Sequence, residues 1–339
     1  MNNYFSLTNL IQCVILTIQY LLLYMLRPTK IKLALAPMAG ITDKAFRQIC
    51  QKWEADITWS EMVSSEGLVR QKIADNKSLK LAEKFNDTEK NYWVQIFGSN
   101  PNSMAQASKI IEQQIKPVGI DINLGCPVKK AQKAGYGAIQ IKNIPEVIKI
   151  IKTIKQELSL PLSLKTRVGL KNSKEILKFA PQLEKAGLDQ LVIHARTLKG
   201  MFKEEPDWKI VKKLNNILKI PIIYNGGIKT VENAKFYANR TGCKILMIGQ
   251  AVIGNPWFFK EIQYYLKNNK NIKISATEKK NTILEHAKLS IKYNSKQGIL
   301  NFRTHLVAYL KGTANASKLK RKAVQIKNIE DIEKILEQK

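Results

Sequence analysis

The sequence predicts an α/β fold, a TIM (β/α)8 barrel followed by a small C-terminal all-helical domain, and three observations carry that expectation. From residue 31 onward, short apolar runs of strand character alternate with segments of helical period. The alternation repeats about eight times, which suits a closed barrel better than an open doubly wound sheet. Strand signals then stop near residue 262, and only helical patterns follow. The expected division is residues 1–30 as an apolar extension, 31–262 as the barrel and 263–339 as the helical domain. A chain of 339 residues has room for a barrel of about 250 and a small companion.

The candidate strands are residues 33–36, 57–62, 92–97, 118–122, 162–166, 190–194, 221–224 and 244–248. In the fourth, Val118, Ile120 and Ile122 alternate and are β-branched, as a pleated strand favours. Between strands, Ile144, Val147, Ile148, Ile151, Ile154 and Leu158 recur at helical spacing. So do Ile176, Leu177, Ala180 and Leu183 before Gly187, and Pro181 inside that helix is expected to kink it. Past residue 262, residues 282–293, 302–311 and 326–336 read as helices, with Ile283, Leu284, Ala287 and Ile291 on one apolar stripe.

Composition narrows the partners. A chain that is 45% hydrophobic and 24% charged is globular rather than disordered. Its formal net charge of +29 favours phosphate-rich partners or anionic membranes. Only eight of its 56 basic residues are Arg, so a lysine-rich composition accounts for part of that charge. The run from Lys318 to Lys322 is still denser than a solvated helix face requires. Four cysteines without a C-x-x-C pair or regular spacing argue against a zinc site or a disulfide framework and point to a reducing, cytoplasmic home. The histidines His194, His286 and His305 are scattered along the chain, and no metal is expected.

The chemistry centres on the end of the fourth strand, where Asn123-Leu124-Gly125-Cys126-Pro127 is followed by Lys129, Lys130 and Lys133. Pro127 keeps Cys126 out of a helix, so the thiol sits on a turn. A lone cysteine is more often a small buried hydrophobe, the reading that suffices for Cys13, Cys50 and Cys243. In a barrel the chemistry belongs at the C-terminal ends of the strands. The first strand ends in Ala36-Pro37-Met38-Ala39-Gly40, whose small residues let a flat ring approach the backbone. The third delivers Gln95. The fifth delivers Lys165 and Arg167 on one face, and the sixth His194-Ala195-Arg196-Thr197. The last two end in Asn225-Gly226-Gly227 and Gly249-Gln250-Ala251, glycine turns that suit a phosphate.

These blocks resemble the tRNA-dihydrouridine synthases, and among them the bacterial B-type branch. The resemblance rests on residues 36–43 with Phe46-Arg47, Ser60-Glu61-Met62-Val63, residues 121–127, Lys165-Thr166-Arg167, His194-Ala195-Arg196-Thr197 and Asn225-Gly226-Gly227. It continues through Met247-Ile248-Gly249, Asn255-Pro256-Trp257 and Phe302-Arg303-Thr304-His305, spanning residues 31 to about 325. It implies an FMN-binding barrel with a helical tRNA-binding domain, NADPH or NADH as reductant, and Cys126 as proton donor. Motif matching assigns FMN to Pro37, Met38, Ala39, Gln95, Lys165, His194, Asn225, Gly226, Gly227, Gly249 and Gln250. Asn123, Arg167 and Arg303 fall to the substrate. Gly227 stands where many members have Asp, Gln250 where most have Arg, and residues 199–206 depart from the usual Tyr-x-Gly pattern.

The implied chemistry suits the residue types. Hydrogenating the uracil C5–C6 bond needs a hydride at C6 and a proton at C5, and a cysteine thiol of ordinary acidity can supply the proton near neutrality. Lys165 suits the anionic reduced flavin, while Asn123 or Arg167 suits uracil oxygens as charge develops. Two other readings are an FMN oxidoreductase of a small molecule, similar to dihydroorotate dehydrogenase, and a non-catalytic tRNA-binding protein. A monomer without a membrane partner is expected.

Residues 10–26 form an apolar run broken by Gln12, Thr17 and Gln19, about the length of a short membrane span. A weak anchor, an extra amphipathic helix and sequence upstream of the true start all account for it. No basic residue precedes Arg27, and Met25 is the favoured start. Peptide mapping of the natural protein is expected to find nothing before Met25; one earlier peptide overturns that reading.

Overall fold

In the computed structural model, residues 30–71, 76–89 and 91–338 are described. The expected apolar extension and the Met25 start therefore lie outside the described residues, as does Cys13. Nine short strands form the barrel: β1 (Lys32–Leu35), β2 (Thr58–Trp59), β3 (Val63–Ser64), β4 (Tyr92–Phe97), β5 (Gly119–Leu124), β6 (Leu162–Arg167), β7 (Gln190–His194), β8 (Ile222–Asn225) and β9 (Ile245–Ile248). Their order is β1-β9-β8-β7-β6-β5-β4-β2, with every pair parallel. The ring closes where Ala34 bridges Ile57 and the Leu35 amide donates to the Ile57 carbonyl at 2.9 Å.

The expected strand at residues 57–62 is divided into β2 and β3. Between them the Ser60 hydroxyl accepts the Gln95 amide at 2.9 Å and donates to the Glu61 carbonyl at 2.6 Å. A side chain thus replaces a backbone carbonyl as partner of β4, and β3 resumes the pairing at Val63 opposite Ile96.

Ala34, Ile57, Trp59, Trp93, Val192, Ile223 and Met247 form a buried apolar cluster of the strands. Trp59 and Trp93 stack at 5.7 Å with their planes 12° apart. Gly119 faces the Trp93 ring so closely that a Cβ would lie 2.3 Å from it, so only glycine fits there. The helices Pro101–Ile115, Ile144–Glu157, Glu175–Lys185, Trp208–Ile217 and Val231–Thr241 alternate with the strands from β4 onward. Helix Glu175–Lys185 runs through Pro181 without a break.

Helices continue after β9 with Phe258–Asn268, Ala276–Tyr309, Ala316–Ala323 and Ile329–Glu337. The expected helices at 282–293 and 302–311 belong to one long element, interrupted at Ser295, whose φ of 49° and ψ of −132° are not helical. A capping box of Ser275 and Glu278 starts that element. Helix Ala316–Ala323, rich in lysine, has no expected counterpart, because its only buried residues are Leu319 and Ala323 and the apolar signal is weak. The boundary placed after residue 262 falls inside helix Phe258–Asn268, and the chain from Lys32 onward forms one compact unit. One buried cluster joins Ile49, Trp53 and Trp257 to Ile283, Phe302, Leu306, Tyr309 and Leu319. Gly254, at φ +72°, meets the Ala308 backbone so closely that a Cβ would lie 2.4 Å from its carbonyl carbon.

Helix Lys44–Lys52 is tied to the loop before β4 by a buried ion pair. Arg47 Nε lies 2.8 Å from Glu89 Oε1, and its other nitrogens donate to the Thr42 and Glu83 carbonyls at 3.0 and 2.6 Å. Glu89 in turn accepts from the Thr58 hydroxyl and the Phe85 amide at 2.8 and 3.0 Å. Arg47 also lies over the Tyr92 ring, 4.6 Å from its centroid. Removing one partner leaves the other charge buried and unpaired. Arg47→Ala is therefore expected to lower unfolding free energy by about 3–5 kcal/mol, measured by urea denaturation.

Candidate active site

Polar residues converge at the C-terminal ends of the strands because parallel register aligns them. Gln95 pairs with Asp121, Asn123 with Lys165, Arg167 with His194, and His194 with Asn225. They surround a cavity of about 720 Å³ that is also lined by Pro37, Met38, Ala39, Cys126, Gly226, Gly227, Gly249 and Gln250. Every residue that the sequence assigned to a cofactor is on this wall, together with Cys126, Asn123 and Arg167. Arg303 is not. Its guanidinium donates to the Ile326 carbonyl at 3.3 and 2.7 Å, from Nε and Nη2, within the helical segment.

The loop after β1 is shaped by its own backbone and by one acidic side chain. The Ile41 and Thr42 amides donate to the Met38 carbonyl at 3.1 and 3.0 Å, and the Met38 amide donates to Thr42 Oγ1 at 3.1 Å. The Gly40 amide donates to the Glu61 carboxylate. Burial raises the Glu61 carboxyl above its usual range, against that hydrogen bond.

A chain of hydrogen bonds runs from the barrel wall to the thiol loop. Gln95 Nε2 donates to Asp121 Oδ2 at 2.6 Å, and Gln95 Oε1 accepts from Asn123 Nδ2 at 2.8 Å. Asn123 Oδ1 then accepts the amides of Gly125 and Cys126 at 3.2 and 3.0 Å. The Cys126 carbonyl accepts from the Ala138 amide at 3.1 Å, and Gly137, at φ +77°, packs where a Cβ would come 2.9 Å from that oxygen. Cys126 is half-buried, while Cys50 and Cys243 are buried and their thiols are pushed up by burial.

Burial pushes the Asp121 carboxyl up to about 6, with Gln95 and Lys165 acting the other way. Lys165 keeps some access to the cavity, but protein surrounds the rest of it. Desolvation first, and Arg167 second, lower its ammonium to about 8, while Asp121 opposes them. Burial followed by the charges of Lys165, Arg167 and Arg196 pushes the His194 imidazole well below its ordinary range, so it is neutral at physiological pH. Arg167 donates from Nε to the Gly125 carbonyl at 3.1 Å and from Nη1 to the Thr197 carbonyl at 2.9 Å. It thereby joins the thiol loop to the loop after β7, where Glu204 accepts from Thr197 Oγ1 at 2.9 Å.

Gly226 and Gly227 have φ of +117° and +72°. A Cβ on Gly226 would lie 2.9 Å from His194 Cδ2, and one on Gly227 would lie 2.5 Å from Pro206 Cγ. Backbone therefore faces the cavity where side chains do not fit. Sequence reading gave no role to Asp121, Lys229 or Lys311, the last two of which also line the cavity. Asp121 was within reach, since it shares a strand face with Asn123. Lys311 was not, because it follows the long helix of the C-terminal segment.

A parallel barrel with cationic and amide groups gathered at the strand ends defines a binding site of the TIM-barrel enzyme type. A family model described as dihydrouridine synthase (Dus) matches residues 34–339. The chain is 34% identical over 308 residues to the probable tRNA-dihydrouridine synthase of Aquifex aeolicus, covering 90% of this chain and 94% of that one. It is 36% identical over 287 residues to tRNA-dihydrouridine synthase B of Shewanella oneidensis, covering 83% and 87%. The chain belongs to the dihydrouridine synthase family, oxidoreductases acting on CH–CH bonds. Among solved structures it resembles a 2-naphthoyl-CoA reductase in complex with 2-naphthoyl-CoA, at a TM-score of 0.55 and 13% identity. That match covers 68% of this chain and 49% of the other, and speaks for the barrel fold alone.

The depressed Lys165 ammonium has a measurable consequence. Between about 8 and 10.5 the unfolded chain keeps a proton that the folded protein has lost, so this group's contribution to stability rises with pH across that window. In carbon-13 methyl-lysine spectra of the ligand-free protein, the signal removed by Lys165→Arg is expected to titrate near 8. In Arg167→Met, which removes a neighbouring charge, the midpoint is expected to move upward.

Proposed function

We propose that this chain is a tRNA-dihydrouridine synthase that reduces the C5–C6 bond of uridine in tRNA, with FMN as cofactor, NADPH as electron source and Cys126 as proton donor. The observation that carries this reading is the half-buried Cys126 on the wall of the same cavity as Lys165, neutral His194 and the Gly226–Gly227 turn. The residues present suit FMN. At positions 226 and 227 a Cβ would collide with His194 and Pro206, so glycine alone keeps bare backbone on this part of the wall, and the backbone there and around Gly249 and Gln250 suits a phosphate. Gln95, Asn225, Pro37, Met38 and Ala39 would complete its binding. Bound there, FMN would supply the hydride chemistry for uracil C6, with NADPH as the source of its electrons.

The remaining work falls to side chains. Addition at C6 leaves an electron pair at C5 that delocalises onto the neighbouring carbonyl oxygen. Cys126 delivers a proton from Sγ to C5, and solvent restores the thiol. Arg167, already fixed by the Gly125 and Thr197 carbonyls, offers positive charge beside the developing oxyanion. Asn123 holds the Cys126 backbone amide and so sets where the thiol lies. A base stacked within tRNA hides its C6, so the target uridine must leave the stack.

Lys-rich helix Ala316–Ala323 and its neighbours supply phosphate contacts that do not read sequence, and tRNA binding weakens steeply with salt. No described helix is long and apolar enough to cross a membrane. We place the enzyme in the cytoplasm as a monomer.

The test supplies FMN, NADPH and unmodified tRNA to the purified protein and maps dihydrouridine by mass spectrometry. Wild type is expected to form it. Cys126→Ala is expected to retain FMN yet lose product formation by about 100-fold or more, the scale of a general acid. Full activity of Cys126→Ala removes the thiol from the mechanism, and wild-type protein that holds no flavin removes the reading altogether.

A further inference from the structure

Two histidines that lie 19 positions apart in the sequence meet inside the molecule, away from the cavity. His286 and His305 both belong to helix Ala276–Tyr309, on either side of the interruption at Ser295. Their ring centroids are 4.5 Å apart, and both residues are buried. Phe46 of helix Lys44–Lys52 packs on both rings, at 5.5 Å from His286 and 4.8 Å from His305. Asp43, which caps that helix by accepting the Phe46 amide at 2.8 Å, completes the group. One carboxylate oxygen of Asp43 and one nitrogen from each imidazole lie within 4.8 Å of one another.

The hydrogen-bond pattern leaves one nitrogen of each imidazole unsatisfied. His286 Nδ1 lies 3.1 Å from the Tyr309 hydroxyl, but His286 Nε2 has no hydrogen-bond partner. His305 Nδ1 has none either. Two bare nitrogens on fully buried imidazole rings, beside a half-buried carboxylate, are an unfavourable arrangement unless a positive charge sits among them. Imidazole binds a metal ion in its neutral form, through a nitrogen that carries no proton.

We propose that Asp43, His286 and His305 form a binding site for one divalent transition-metal ion of the zinc class, linking barrel helix Lys44–Lys52 to both halves of helix Ala276–Tyr309. Two imidazoles and one carboxylate suit Zn²⁺ or Co²⁺, whereas Mg²⁺ and Ca²⁺ prefer oxygen donors alone. Tetrahedral binding at about 2.0–2.1 Å, with water as the fourth ligand on the side of half-buried Asp43, draws the ligand atoms to about 3.4 Å from one another, which small side-chain movements provide from the present spacing. Tyr309 sits where a second hydrogen bond would fix the His286 ring with Nε2 toward the ion. The scatter of histidines along the sequence suggested no metal set, but the fold brings two of the three together.

The test uses the full-length protein, stripped with a chelator and then titrated with Zn²⁺ or Co²⁺ while metal content and melting temperature are measured. Wild type is expected to take up one ion per chain, to melt higher when loaded, and to show the visible absorption of tetrahedral Co²⁺. Asp43→Asn keeps the helix cap but loses the charged ligand, and His286→Gln loses one imidazole. Each is expected to weaken binding by more than about tenfold and to abolish the melting shift, while Cys126→Ser retains both. Wild-type protein that neither binds the ion stoichiometrically nor changes its melting overturns the proposal. So does uptake that survives in both Asp43→Asn and His286→Gln, or that disappears in Cys126→Ser.

Discussion

One buried carboxylate orients the cavity wall. Asp121 can only accept hydrogen bonds while it is ionised, so Gln95 must present Nε2 to it and turn Oε1 toward Asn123. Asn123 must then donate from Nδ2, which leaves Oδ1 for the Gly125 and Cys126 amides. Reversing either amide would set oxygen against oxygen. The direction of the whole chain, and with it the course of the backbone at Cys126, thus follows from a charge that never reaches the cavity. Because burial raises that carboxyl to about 6, the constraint is firm above that value and relaxes below it, where the group can donate as well as accept.

Much of the barrel was legible because parallel strands write themselves as apolar runs. Strands β4 and β7 coincide with the sequence reading, and the others differ by a residue or two at their ends. The exception is instructive. Residues 57–62 read as one strand because apolar spacing cannot reveal that Ser60 substitutes its hydroxyl for a backbone acceptor. In the C-terminal segment, helix Ala276–Tyr309 read as two pieces with a gap, and the interruption at Ser295 lies within that gap. Lysine in helix Ala316–Ala323 diluted the apolar stripe below notice.

The site was legible in a different way. Residue types at strand ends identify which side chains can meet, and parallel register does the rest. What the sequence could not carry is contact between distant elements: the approach of Lys311 to the cavity, the fastening of Arg167 to two loops, and the meeting of His286 with His305. Arg303, which a match in a short block assigned to the substrate, lies off the cavity wall in the helical segment, where its guanidinium donates to the Ile326 carbonyl.

Ile49, Trp53 and Trp257 are barrel residues by position, yet their apolar surfaces are covered by Ile283, Phe302, Leu306 and Tyr309. Gly254 touches the Ala308 backbone on the same side. A chain cut before Ser275 would open that face to water, and a barrel bearing it would be prone to associate. The catalytic scaffold and the basic segment are therefore not interchangeable modules. Each provides part of the other's interior, so a graft between related chains has to carry helix Lys44–Lys52 along with the tail that packs on it.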